Sequence, residues 1–302
     1  VYDIKPELAE SAAFETGAKT LDNPDAIFES DDVDIVTLAT PPFARAEYVK
    51  KACAAGKHLM VEKPMARTLE DALTICDSVR DNGVKCFIPF ARAVSSGMRK
   101  IVKAIEGGKF GAPAAFIHTN LSTPYGWVSL DHWMHDMEKS GGPIFDYSIH
   151  FIEFARACMM SEAKQVSYVG VDVTNRVKSD DHAVLMVEYE SGTIGEFTKS
   201  WAFPPQVKLG HQTTHIVCRN AVISMDANGT NIHTPDGPSK FESTKDKYPG
   251  RAEAYLNLIS AIEKGTPLYA SELEGLRTNE ILHAALVSRE SNKKENVEIH
   301  TF

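Results

Sequence analysis

The sequence predicts an α/β unit of parallel strands and helices, followed by an α+β unit built on antiparallel strands. Three observations carry this reading. Residues 34–88 alternate apolar strand-like runs with helical patterns across short loops, the signature of right-handed crossovers and a parallel sheet. Residues 164–234 instead read as successive strands, with helical segments grouped before and after them. A chain of 302 residues is also long enough that two cores are the natural expectation. We place the division at 1–90 and 91–302.

Taken in order, Asp34-Ile35-Val36-Thr37-Leu38-Ala39 is a short β-branched strand closed by Thr40-Pro41-Pro42. A helix is expected over 43–55, stopping at Gly56, whose position suits the left-handed residue after a helix. A strand over 58–62 leads into Glu62-Lys63-Pro64. Thr68-Leu69-Glu70-Asp71 is a variant capping box, and Leu69, Ala72, Leu73, Cys76 and Val79 recur at helical spacing up to Asn82-Gly83. Val84-Lys85-Cys86-Phe87-Ile88 is the next strand. Beyond residue 90, helices are expected at 95–106 and from Phe145 to Met160, with a strand at 113–119 between them. A polar, aromatic loop is read from Asn120 to Lys139. Strands follow at 166–173, 183–189, 193–200, 213–218 and 221–225, with Glu190-Ser191-Gly192 as a hairpin turn. Helices at 250–264 and 271–290 close the chain.

Composition narrows the function classes. The net charge of −9 supplies no basic stripe for phosphates, so nucleic acid is an unexpected partner. No apolar run approaches the roughly 18 residues of a membrane span. The opening Val1-Tyr2-Asp3-Ile4-Lys5-Pro6 lacks the basic start and apolar core of a signal peptide. Five scattered cysteines, none in a C-x-x-C pair, read as buried reduced thiols of a cytoplasmic protein.

Two stretches carry chemistry. Pro64 pushes Lys63 out of helical geometry, so the lysine stands at the end of a strand, where open α/β sheets bind ligands. The second stretch is Ser140-Gly141-Gly142-Pro143-Ile144-Phe145-Asp146-Tyr147-Ser148-Ile149-His150. Its glycines permit close backbone approach to a ligand. Asp146 and His150 are four apart and on a helix share a face, where the carboxylate can orient and tune the imidazole as a general base. The same spacing also fits a helix N-terminus with an acidic first turn. Asp3 follows an apolar start, as the ribose-binding acid of a dinucleotide fold does, although an acid near a chain start is also an ordinary solvated residue. The fingerprint G-x-G-x-x-G is absent, and Gly107-Gly108-Lys109-Phe110-Gly111 does not fit it.

Together, Gly56-Lys57-His58 leading into Glu62-Lys63-Pro64, and Gly141-Gly142 leading into Asp146 and His150, resemble the Gfo/Idh/MocA oxidoreductases (the glucose–fructose oxidoreductase and inositol dehydrogenase group). Thr40-Pro41-Pro42 resembles the family's loop after its fourth strand, and Phe90-Ala91-Arg92 its entry to the second domain. The resemblance implies a Rossmann domain plus a domain with a large, mostly antiparallel sheet. It implies hydride transfer between NAD and a hydroxyl carbon of a sugar, inositol or related polyol. Lys63 would lie beside the nicotinamide ribose and the substrate oxygen, Asp146 would bind substrate, and His150 would act as general acid/base. Cofactor contacts are expected from Asp3, Thr40, Pro41, Pro42, Glu62, Lys63, Pro64 and Arg92. Trp127, His132 and Trp133 are candidate pocket lining, with ordinary loop packing as the alternative. Lys5 keeps NADP open.

The chain departs from the family pattern in several ways. It begins on what reads as the second strand, so about 30 residues forming a strand–helix unit are expected ahead of it. Arg45 stands where the family often has a histidine and is read as a helix-surface residue. Glu153 stands where an aspartate often follows the catalytic histidine by three. No metal is expected: the histidines of His132-Trp133-Met134-His135-Asp136 lie in a loop near the substrate pocket, and His211 and His215 are on or beside a strand. A homodimer or homotetramer through the open sheet face is expected. Related functions in this fold, an NAD-dependent glycoside hydrolase or a sugar-sensing regulator, remain open at this point.

Overall fold

The computed structural model describes residues 1–122, 128–202, 207, 211–241 and 250–302. In chain order the elements are α1 (Pro6–Thr16), α2 (Asp25–Phe28), β1 (Ile35–Leu38), α3 (Arg45–Ala54), β2 (His58–Val61), α4 (Leu69–Asn82), β3 (Cys86–Phe87), α5 (Ser96–Glu106), β4 (Pro113–Leu121) and α6 (Met137–Ser140). A π-helical turn at Ile144–Ser148 then runs into α7 (Ile149–Met159). After it come β5 (Ala163–Val171), β6 (His182–Tyr189), β7 (Ile194–Ser200), β8 (His211–Cys218), β9 (Ala221–Asp226), β10 (Gly229–Thr234), β11 (Gly237–Lys240), α8 (Arg251–Lys264), α9 (Glu272–Ser291) and β12 (Glu295–Asn296).

The first unit is a parallel sheet in the order β1-β2-β3, with Val36 opposite Leu59 and Leu59 opposite Cys86. Helices pack on it through local signals that the sequence states openly. The Thr68 hydroxyl accepts the Asp71 N–H at 3.1 Å and starts α4, and Gly83 ends it at φ +65°. Gly56, at φ +72°, lets the chain leave α3 and enter β2. Leu59, Met60 and Val61 are all buried, as both faces of a covered parallel strand must be.

The expected strand at the start of the chain is not formed. β1 is an edge of its sheet, and no described segment pairs with its outer side. Val1 C=O accepts from Leu21 N–H, and the Asp3 carboxylate accepts the Lys5 N–H at 2.9 Å. Pro6 then opens α1, at a position where its missing N–H has no helical partner to lose. Asp3 therefore sits in a turn before a helix, not at a strand end.

The second unit is a nine-stranded sheet in the order β11-β10-β9-β8-β4-β7-β6-β5-β12, antiparallel throughout except where β4 runs parallel to β7. α7 covers one face, where Phe116 packs edge-on against Phe154 at 5.5 Å, and α5 packs against α7. α9 lies across β5 and α4, and Asn279 Nδ2 donates to Ala66 C=O at 2.8 Å, joining the closing helices to the first unit. On the opposite face of the sheet Val169 (67% exposed), Val171, Met186 (44%) and Ile194 face outward.

Candidate active site at the parallel strand ends

The ladder of β1 and β2 continues one step past the strands, with Glu62 N–H donating to Leu38 C=O at 3.0 Å. The chain then turns through Lys63 and a cis Lys63–Pro64 peptide. Arg45 holds this corner. It is 3% exposed, its Nε donates to Thr40 C=O at 2.7 Å, and Nη1 donates to the carbonyls of Glu62 and Pro64. The expectation of a surface arginine is corrected: one guanidinium clamps the loop after β1 to the corner after β2. Burial pulls its pKa down to about 10, against the pull of Glu62.

Facing this corner is the π-helical turn. Gly141 and Gly142 approach it at φ +83° and +90°. A Cβ on Gly141 would meet the Phe145 ring at 2.6 Å, so the close approach these glycines permit is to the turn itself. The turn brings Asp146 to Lys63. Lys63 Nζ donates to the Asp146 backbone C=O at 2.5 Å and stands 3.9 Å from its Oδ1, with the two side chains 18% and 21% exposed. Burial lowers the Lys63 pKa; Asp146 and Glu62 oppose the shift, and Arg45 and Arg251 add to it.

His150 lies on the first turn of α7. Its Nδ1 accepts the Ala91 N–H at 3.2 Å, so this backbone group, not Asp146, orients the ring. The Asp146–His150 spacing was expected to give that bond, but the π-turn redirects the carboxylate towards Lys63. A neutral imidazole that accepts at Nδ1 carries its proton on Nε2. Burial, then Lys63 and then His118, push the His150 pKa well below its ordinary value, so the neutral form prevails at pH 7.

A cavity of about 320 Å³ lies at the corner, lined among others by Thr40, Pro42, Glu62, Lys63, Trp133 and Asp146. Pro64 also lines it, Pro41 lies between two lining residues, and Trp133 meets Phe43 edge-on at 5.9 Å. Arg251 reaches over from α8 to pair with Glu62. The other expected residues lie elsewhere. Arg92 donates to Glu153 at 2.7 Å and to Tyr269 C=O at 2.9 Å, an ion pair away from the cavity that neutralises the fully buried Glu153. His132 Nδ1 accepts the Met134 N–H at 3.4 Å and is not part of the lining. Trp127 falls outside the described residues. Among the described residues, no three His, Cys, Asp or Glu side chains come together as a metal set.

Sequence reasoning missed Arg45, the Ala91 backbone donor, and Lys199, a lysine 2% exposed on β7. Only the last had a signal: Gly195, Phe197 and Lys199 share the inward parity of one strand.

The family description "Oxidoreductase family, NAD-binding Rossmann fold" matches residues 1–90, and "GFO/IDH/MocA C-terminal domain" matches residues 98–224. The chain belongs to the Gfo/Idh/MocA oxidoreductase family. It is 28% identical over 201 residues to scyllo-inositol 2-dehydrogenase (NAD(+)) of Bacillus subtilis, a match covering 65% of this chain and 57% of the relative. It is 25% identical over 306 residues to inositol 2-dehydrogenase of Rhizobium meliloti, covering 95% and 88% of the two chains. The crystal structure of the WlbA dehydrogenase from Bordetella pertussis in complex with NADH and UDP-GlcNAcA superposes with a TM-score of 0.84 at 20% identity, over 99% of this chain and 90% of that one. This last likeness confirms the fold: a Rossmann-type unit beside a large, mostly antiparallel sheet.

Proposed function

We propose that the protein is an NAD-dependent dehydrogenase acting on a hydroxyl carbon of a sugar, inositol or related polyol. The observation that carries the reading is the contact of Lys63 with Asp146, both lining a cavity at the ends of parallel strands, with the buried His150 near enough to feel the Lys63 charge. Open α/β sheets bind their ligands at that end, and the cavity, lined by Thr40, Pro42, Glu62 and Pro64, fits the nicotinamide half of the cofactor. The bound nicotinamide supplies one thing, acceptance or donation of a hydride.

The chain's own residues manage the proton. Buried Lys63 holds its proton less tightly than a solvated lysine, so its amine can take the hydroxyl proton as the carbon is oxidised. His150 Nε2–H donates to the same oxygen and stabilises the charge that develops on it. In the reverse direction the Lys63 ammonium returns the proton to the carbonyl oxygen. This division refines the expected acid/base role of His150, because an imidazole already protonated at Nε2, with Nδ1 engaged by Ala91, has no free site for another proton. Asp146 anchors Lys63 and offers its carboxylate to a substrate hydroxyl.

Other parts of the reading rest on separate observations. A division at residues 90 and 91 is supported by the two sheets, one ending at Phe87 and the other beginning at Pro113. A homo-oligomer built through the open sheet face is supported by the outward row Val169, Val171, Met186 and Ile194. Five buried cysteines without disulfides favour a reducing, cytoplasmic setting, and no helix among the described residues is long and apolar enough to cross a membrane. NADP stays a candidate through Lys5. The test is a panel of sugars, inositols and polyols with NAD and with NADP, followed by absorbance of the reduced cofactor. Reduced cofactor that accumulates with substrate supports a dehydrogenase; substrate cleavage without net reduction would contradict it.

A further inference from the structure

The corner after β2 continues past Lys63 into a second tie between the two units. The chain runs on through Met65 and Ala66, both fully buried, and Asn279 Nδ2 from α9 donates to the Ala66 C=O at 2.8 Å. Arg67 therefore starts from a fixed backbone, four positions after Lys63. Its guanidinium crosses to the second unit. Nε donates to the Glu138 C=O at 3.0 Å, and Nη2 donates to the Met137 C=O at 3.1 Å. The guanidinium carbon lies 5.6 Å from the centre of the Phe145 ring.

All three contacts fall on the segment that presents Asp146. α6 is only four residues long, too short to hold its shape alone, and the carbonyls at such a helix end need outside donors. Phe145 is 1% exposed, its ring lies against Gly141, and it directly precedes Asp146. A planar fork that reaches two carbonyls and also lies over an aromatic ring is arginine chemistry, which a lysine cannot reproduce. Two ties thus join the same two pieces of chain. Lys63 meets Asp146 inside the cavity, and Arg67 holds α6 and Phe145 behind it. Arg67 does not itself line the cavity.

We propose that Arg67 is a positioning residue for the reaction: by gripping α6 and the Phe145 ring it fixes the π-turn so that Asp146 meets Lys63. The inference rests on the reading of Lys63 and Asp146 as working parts of the site. Misplacing a reacting group by about 1 Å can cost about a hundredfold in rate. The turn would keep its bond from Lys63 to the Asp146 carbonyl, so loss of Arg67 should cost less, about tenfold.

The test compares wild type, Arg67→Met, Asp146→Asn and the double variant, each checked for folding by circular dichroism. One readout is kcat with the best substrate of the panel, alongside cofactor affinity. The other is the Lys63 titration midpoint by NMR of cofactor-free protein carrying ¹³Cε-labelled lysine, its resonance assigned by its loss in Lys63→Met. Burial lowers the Lys63 pKa, Asp146 and then Glu62 oppose this, and Arg45 and Arg251 add to it. Arg67→Met should lower kcat about tenfold with cofactor affinity kept within about twofold. Its Lys63 midpoint should fall towards that of Asp146→Asn, because a displaced carboxylate no longer favours the ammonium. The double variant should be about as slow as Asp146→Asn alone, since both changes act on one contact. Arg67→Lys should recover only part of kcat. Wild-type kcat in folded Arg67→Met, losses that multiply in the double variant, or a Lys63 midpoint that moves in Asp146→Asn but not in Arg67→Met would each overturn the proposal. Wild-type turnover in Asp146→Asn would instead remove the reading of the site, and this inference with it. Should Arg67→Met fail to fold, Arg67→Gln, which keeps an amide donor for the α6 carbonyls, carries the same comparison.

Discussion

Arg45→Met probes the clamp that shapes the site. The side chains are similar in length, so the change removes the guanidinium and its hydrogen bonds with little change in packing. Three carbonyls lose a donor, those of Thr40, Glu62 and Pro64, in a place from which water is excluded. A hydrogen bond from a charged group contributes about 1.5–3 kcal/mol net, but three bonds to one group are not additive. The cost of desolvating Arg45 in the wild type, which pulls its pKa to about 10, offsets part of the sum. A loss of about 3 kcal/mol is therefore expected, or roughly 6–10 °C in Tm for a chain of this size. Urea denaturation followed by circular dichroism measures the stability, and quenching of tryptophan fluorescence by reduced cofactor measures binding. The loop after β1 and the corner after β2 should separate, so cofactor affinity should fall about tenfold or more. Arg45→Lys should recover only part of both, since one ammonium cannot fork across three carbonyls. A stability loss below about 1 kcal/mol with unchanged cofactor affinity would refute the clamp.

Further perturbations test other parts of the account. His118 is fully buried, stacks on Phe151 at 3.6 Å and has its pKa pulled to about 3, first by burial and then by Lys199. The unfolded chain binds a proton near pH 6.5 and the folded one does not, so stability is present above that pH and drains on acidification, by about 2 kcal/mol between pH 6.5 and 5; the slope should flatten in His118→Asn, as read by urea midpoints at the two pH values. Arg92→Met leaves the buried Glu153 carboxylate without its cation and should cost about 3–5 kcal/mol, with Arg92→Met/Glu153→Leu regaining much of it in the same assay. For the proposed homo-oligomer, Met186→Lys places a charge in the outward apolar row and should lower the mass read by sedimentation; a monomeric wild type, or a mass unchanged in the variant, would contradict an interface through this face.

What the sequence made legible was local. Thr68 caps α4 through its own hydroxyl, Gly56 and Gly83 end helices through a conformation glycine adopts freely, and the apolar runs at β1 and β2 could be little else than covered strands. Lys63 at a strand end followed from Pro64 alone. What stayed hidden depends on partners distant in sequence. Asp3 fits the end of a strand, but residues 1–3 pair with no described strand and Asp3 accepts the Lys5 N–H in the turn ahead of α1, whose Pro6 and run of helix formers were themselves a readable signal. The Asp146–His150 spacing was read with α-helical geometry, and a π-turn across Ile144–Ser148 sent the carboxylate elsewhere. Arg45 and Arg92 could not be told apart from surface arginines, because their carbonyl and carboxylate partners lie 17 or more residues away for all but the Thr40 bond.

In the proposed function Lys63, held against Asp146, moves the proton in a cofactor-coupled oxidation. The most direct measurement is the rate of NAD reduction by the best polyol or sugar of the panel, in wild type and in Lys63→Met, with cofactor binding measured alongside. Lys63→Met should bind cofactor within a few-fold of wild type and lose about a thousandfold or more in kcat. Turnover in folded Lys63→Met within tenfold of wild type would contradict it.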